Sequence, residues 1–178
     1  AFIAVERRAA TPLAPPALFR NRMFVGVNLA TLLIYGAFTG ALFLTPFDMA
    51  VRRGLSPTEI GLILAPVGLI IGALSRPAGA WLDRAGPRPV LLFGCATASV
   101  GAGWLAYGST SLWFGAAAPL AVMAVGMAFV AGPLSTAVVA AAPRDAAGAA
   151  SGVNNTAGRI ASLAAIVIVG VVVSVANQ

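Results

Sequence analysis

Three charged side chains, Asp83, Arg84 and Arg88, stand close together in a chain with few charges elsewhere. They lie within Gly79-Ala80-Trp81-Leu82-Asp83-Arg84-Ala85-Gly86-Pro87-Arg88-Pro89. A carboxylate beside two guanidinium groups can make and break ion pairs and charge-assisted hydrogen bonds. Asp83 can accept from a nearby arginine or from the amides of a helix N-terminus. Arg84 and Arg88 can meet lipid phosphates or a carboxylate. Gly79 is small enough to let two helix ends approach, and Gly86-Pro87 sets a tight reversal because proline fixes its own φ. Such a cluster has two uses at a membrane face. It can be a latch that holds one conformation until an ion pair breaks, or plain positive charge that fixes the segment on one side.

Two polar stripes form a second constellation. Asn28, Thr31, Tyr35 and Thr39 are spaced three, four and four residues apart. Ser151, Asn155, Arg159 and Ser162 are spaced four, four and three. Each set falls on one helix face. In an apolar segment such a face turns toward protein or water rather than acyl chains. The alternative is hydrogen bonding to a neighbouring helix or to the carbonyl four residues back. Arg159 sits within an apolar run, where an arginine costs about 2.5–3.5 kcal/mol on insertion scales. It therefore needs a watery cavity or a partner, or it reaches for one membrane face. No acidic residue lies mid-span, so a partner comes from helix carbonyls, Asn155 or a part of the protein outside this chain. Met123 and Met127 share a face with Leu120 and Val130, which suits either a soft wall for lipophilic substrates or ordinary packing.

Bond-making chemistry has no support. There is no histidine, and Cys95 is alone in an apolar run as a small packing residue. Asp48 and Glu59 lie at one rim. Nothing serves as general base, activated nucleophile or metal centre, so no enzyme, cofactor or metal is expected.

The elements that must hold these residues are membrane helices. Of the 178 residues, 60% are hydrophobic and 9% charged, against about 25% charged in a soluble domain. All eleven basic residues are arginine and the net charge is +6, but they stand at the ends of apolar runs. That distribution excludes nucleic acid as a partner and implies a lipid bilayer. Charge-free runs and their breaks predict helices near 23–47, 57–78, 89–107, 112–140 and 146–175. Pro46 and Asp48 close the first. Ser56 or Thr58 caps the second, with Pro57 and Glu59 in its first turn. Pro66 kinks the second; Pro119 and Gly132-Pro133 bend the fourth. Gly108-Ser109-Thr110-Ser111 separates the third from the fourth, flanked by Trp104, Tyr107 and Trp113 as an interfacial belt. Pro143-Arg144-Asp145 is a tight turn. Gly36/Gly40, Gly68/Gly72 and Gly148/Gly152 favour close packing in lipid. The fold class is all-α, a polytopic membrane protein of five transmembrane helices, with 21–178 as the membrane domain.

Residues 1–20 form a basic, proline-rich linker, with room for a short interfacial helix before Thr11. With a cytoplasmic N-terminus, Arg7, Arg8, Arg20, Arg22, Arg76, Arg84, Arg88 and Arg144 lie inside and only Arg52 and Arg53 outside. The loop 79–89 is then cytoplasmic. The start at Ala1, with no signal peptide, and the odd number of spans suggest a piece of a larger protein.

The loop resembles the signature of the major facilitator superfamily, roughly Gly-x-x-x-Asp-Arg-x-Gly-x-Arg/Lys between two membrane helices. Gly79, Asp83, Arg84, Gly86 and Arg88 fall on its positions; Pro87 stands where many members carry a basic residue. Leu18-Phe19-Arg20-Asn21-Arg22 and Ala150-Ser151-Gly152-Val153-Asn154-Asn155-Thr156 look like the C-terminal half of the fourteen-helix drug:proton antiporters. The resemblance covers nearly all of 15–178. It implies that the five spans form most of one six-helix half, helices seven to eleven of a twelve-helix core. It further implies a secondary transporter of the plasma membrane, working by alternating access and exporting small amphipathic compounds in exchange for protons. The first stripe would then line the central cavity. The N-terminal half would be the partner that carries the coupling carboxylate. A non-transporting membrane scaffold would need the same spans, but gives the Asp83 cluster no task.

Overall fold

The computed structural model describes residues 15–107 and 111–176. Within them run α1 (Pro16–Arg20), α2 (Arg22–Arg53), α3 (Pro57–Ala85), α4 (Pro87–Tyr107), α5 (Ala118–Ala140) and α6 (Ala147–Ala176). A turn of π geometry, Trp113–Ala117, leads into α5, and one 3₁₀ turn, Arg144–Ala146, leads into α6. Five segments, with α5 counted from Trp113, are long and apolar enough to cross a membrane. Their outward side chains are apolar: Leu33 is 74% exposed, Leu62 70% and Leu92 72%. In water each would forfeit about 25 cal/mol per Å² of apolar surface; in hydrocarbon that cost vanishes. The chain is an all-α, multi-pass membrane protein, as its composition implies.

The helices overrun several expected ends. α2 continues through Pro46 and Asp48 to Arg53. Asp48 pairs with Arg52 at 3.1 Å and with Arg53 at 3.9 Å, and these pairs sit on the last turns. The stop is Gly54, whose φ of 65° is the left-handed conformation that ends helices cheaply only at glycine. Ser56 caps α3 in a reciprocal box: its hydroxyl accepts from the Glu59 amide at 3.4 Å, and its own amide donates to Glu59 Oε2 at 2.8 Å. α3 then runs past Pro66 and Pro77 to Ala85. Of the expected break at 108–111 only Ser111 is described, in a bend, and the expected short helix before Thr11 lies outside the described residues. The last residues of the basic linker are helical, as α1.

α5 is the hub, packed against α4, α3, α2 and α6. Its most apolar stretch is 56% buried, against 11–17% for the other four spans. The tightest crossing is α4 on α5, and it depends on glycines. A Cβ added to Gly126 would lie 2.5 Å from the Ala98 nitrogen and 2.6 Å from the Gly94 oxygen. One added to Gly101 would lie 2.8 Å from the Pro119 oxygen. Backbone here rests on backbone, the arrangement that lets dispersion hold helices together in lipid. The sequence pattern pointed to other glycines. Gly36 and Gly40 do meet α6 at ordinary contact distance, but Gly68, Gly72, Gly148 and Gly152 have no neighbour within 4 Å of their Cβ positions among the described residues.

Asn21 ties one end of the bundle together. Its Oδ1 accepts from the amides of Met23 and Phe24 at 2.9 and 3.4 Å, capping α2. Its Nδ2 donates to the Ala141 carbonyl just past α5 at 2.8 Å. Around it Leu18, Phe24, Val138, Ala141 and Ala150 form a buried cluster that seats α1 against α5 and α6. Asn21→Ala should cost about 2 kcal/mol, roughly half from the lost cap and half from the lost bridge. Asn21→Asp keeps the cap and loses the bridge, so it should recover about half in thermal unfolding of the detergent-purified protein.

Candidate functional site

α2 and α6 lie side by side and parallel, with a constant register. Thr31 bonds to Asn154 and Thr39 to Ser162, each pair 123 positions apart in sequence. Between them the Tyr35 ring covers Gly158, where an added Cβ would sit 3.7 Å from the ring. The three-four-four spacing of polar residues on α2 is thus answered by Asn154, Gly158 and Ser162 on α6. Thr31 Oγ1 lies 2.7 Å from Asn154 Oδ1 and 3.0 Å from the Val27 carbonyl. One hydroxyl carries one proton. Both contacts are satisfied when the Asn154 carboxamide turns its NH₂ toward Thr31, which then donates to Val27.

Beside this seam opens a cavity of about 620 Å³, walled by Thr31 and Tyr35 of α2, Ser135 and Val138 of α5, and Ser151, Asn154, Asn155, Arg159, Ser162 and Leu163 of α6. Six of the ten expected cavity residues therefore come together. Thr39 and Asn28 do not line it. Thr39 is held in its bond to Ser162 at 3.0 Å. Asn28 is buried and donates to the Phe24 carbonyl at 2.8 Å, four residues back, while its Oδ1 has no partner among the described residues. For these two the alternative of hydrogen bonding to a helix neighbour or carbonyl is the one realised. Met123 and Met127 also lie elsewhere. They are buried at 2% and 6% exposure and face a separate apolar cavity of about 200 Å³, with Leu33, Phe38 and Cys95 in its walls. The reason is the glycine crossing: it draws α4 over this face of α5, so the methionines fill the gap beside it.

Asn154 and Ser135 are wall residues that the sequence pattern missed. Asn154 was legible, because it repeats on α6 the same spacing that marks α2. Ser135 stands beside Thr136 on an otherwise apolar helix, with no periodic spacing to mark it. Each hydroxyl donates to the carbonyl four residues back, Ser135 to Ala131 and Thr136 to Gly132, both at 3.2 Å, which lets them sit in a membrane helix.

The charged cluster is less of a loop than its composition suggests. Gly79 to Ala85 are the last turns of α3, and α4 begins at Pro87. The corner is Gly86 alone, at φ 78° and ψ 176°, a conformation that side chains avoid. Gly79 makes no close helix approach among the described residues, none of which lies within 4 Å of its Cβ position. What holds the corner is aromatic. Trp81 of α3, Phe93 of α4 and Phe129 of α5 meet edge to face, with centroids 5.0–5.8 Å apart. Asp83, Arg84 and Arg88 project outward, exposed, and make no ion pair among the described residues.

A family model described as Major Facilitator Superfamily matches residues 3–166. The chain is 37% identical to the lincomycin resistance protein of Streptomyces lincolnensis over 55% of its own length and 20% of that protein's. It is 29% identical to the tetracenomycin C resistance and export protein of Streptomyces glaucescens, over 95% of its own length and 32% of that protein's. With the multidrug resistance protein Stp of Mycobacterium tuberculosis it shares 25% identity over 97% of its own length and 32% of that protein's. The chain thus spans about a third or less of the length of these relatives.

Proposed function

The chain belongs to the major facilitator superfamily, and on that premise we propose that it supplies one wall of a solute pathway in an exporter of small amphipathic compounds. The observation that carries this reading is the pair of polar faces on α2 and α6, opening into a cavity that holds Arg159 in an otherwise apolar bundle. A scaffold has no use for such a face, which costs insertion energy at every polar side chain. The resistance and export roles named for its relatives support the direction of transport. A second set of helices completes the cavity in the working transporter. Alternating access follows when the two sets rock against each other about this site. Proton exchange drives it. Every acidic residue described here stands near a helix end, so the coupling carboxylate belongs to the second set.

The basic end of the bundle faces the cytoplasm of a cell whose plasma membrane the protein spans, by the excess of arginines at that end. There the exposed cluster of Asp83, Arg84 and Arg88 latches to charged groups of the other half.

Export is tested by expressing the protein at its natural length in a host stripped of its own efflux pumps. Inside-out membrane vesicles should take up a fluorescent amphiphile on acidification of the lumen and release it when a protonophore is added. Normal insertion with no gradient-dependent uptake of any amphiphile would leave the scaffold reading standing.

A further inference from the structure

Among the described residues, Arg159 is the one group of permanent charge in the cavity wall. It lies twelve residues into α6, about 18 Å along the helix axis and so well away from its cytoplasmic end. It makes no ion pair or hydrogen bond with any described residue. The described carboxylates, Asp48, Glu59, Asp83 and Asp145, all stand within about two turns of a helix end, and none lines the cavity. The polar residues that line the cavity with it are neutral, among them Ser151, Asn155, Ser162 and Tyr35. Arg159 is exposed to the cavity space, and a cation in a concavity with low-dielectric walls raises a positive potential within it. Guanidinium also meets an oxyanion with two parallel hydrogen bonds, a match no ammonium ligand can make. The serine and asparagine groups can donate to the oxygens that remain.

From this we infer that Arg159 selects amphiphiles bearing an anionic group, such as a carboxylate or sulfonate, over those bearing a quaternary ammonium. The anionic group docks on Arg159, and the apolar body lies along Leu163 and Val138. This rests on the transport reading above and narrows its substrate class. The competing source of negative charge is a carboxylate from helices beyond this chain, which would neutralise Arg159 permanently.

The experiment uses the natural-length protein in inside-out vesicles and three probes with one naphthyl body, ending in sulfonate, hydroxyl or trimethylammonium. The wild type should take up the sulfonate probe best. Arg159→Gln should lower the sulfonate-to-hydroxyl uptake ratio by about tenfold or more, as expected for losing a charged hydrogen-bond partner. Arg159→Lys should recover part of that ratio, keeping the charge but not the fork. Should the glutamine variant fail to insert, the neutral and apolar Arg159→Met carries the comparison, and an unchanged ratio in it overturns the proposal. An equal fall for all three probes overturns it too, in favour of a protein carboxylate on Arg159. So does a wild type that prefers trimethylammonium, which would leave export itself intact. Uptake of none of the three removes the transport reading and this one with it.

Discussion

Gly126→Leu should leave almost no folded protein in the membrane. The first atom of the new side chain would stand 2.5 Å from the Ala98 nitrogen and 2.8 Å from the Ala98 Cα, with the Gly94 oxygen at 2.6 Å. Those neighbours are backbone and cannot rotate away, so α4 and α5 must separate. Overpacking a core costs about 1–3 kcal/mol when side chains can yield, and more when they cannot. α5 touches four other helices, so the loss spreads through the bundle. Even Gly126→Ala should cost about 3 kcal/mol, at the top of that range. Gly132→Ala, on the same helix with nothing within 4 Å, should fold as wild type or slightly better. Size-exclusion profiles and melting in detergent separate the three variants. A Gly126→Leu protein that purifies in one sharp peak at wild-type stability would contradict the crossing.

Asp83→Asn should lower gradient-driven uptake by about tenfold while leaving the amount of inserted protein unchanged, if the carboxylate latches to charged groups of the other half. The two readings of the cluster part here. If its arginines only fix topology, removing the acid adds one net positive charge to that end and strengthens the same orientation. Transport would then be untouched. If Asp83 is one side of an ion pair that stabilises one conformation, its loss shifts that equilibrium by the strength of a charge-assisted bond, and turnover falls. Insertion should be indifferent, because Asp83 is exposed and bonded to none of the described residues. Asp83→Glu, which keeps the charge on a longer stem, should retain most of the activity. Wild-type uptake in Asp83→Asn would end the latch.

The five apolar spans were legible because a bilayer demands long charge-free runs, and little else fills 178 residues this way. Helix ends were less so. Asp48 reads as a terminator until its arginine partners are seen four and five residues on, inside the same helix. The α2 stripe was visible because polar residues are scarce enough to stand out. All four residues of the α6 stripe line the cavity; what the stripe left out is the adjacent Asn154, which lines the same wall and also bonds to Thr31 across the seam. Gly94, Gly101 and Gly126 were hidden among twenty glycines. Which of them meet backbone depends on how α4 crosses α5, and that is a property of two segments together. The Trp81–Phe93–Phe129 corner was invisible for the same reason.

The two helix pairs differ in what they tolerate. Where α4 crosses α5, a single methyl group has no room. Along α2 and α6 the fit is looser: a methyl on Gly158 would meet Thr31 Cγ2 at 3.6 Å and the Tyr35 ring at 3.7 Å, ordinary contact. Substitutions on the cavity wall therefore change its shape and polarity without disturbing the crossing that holds the bundle. A lineage of such chains can vary a handful of wall residues while the glycine crossing stays fixed and keeps each intermediate foldable.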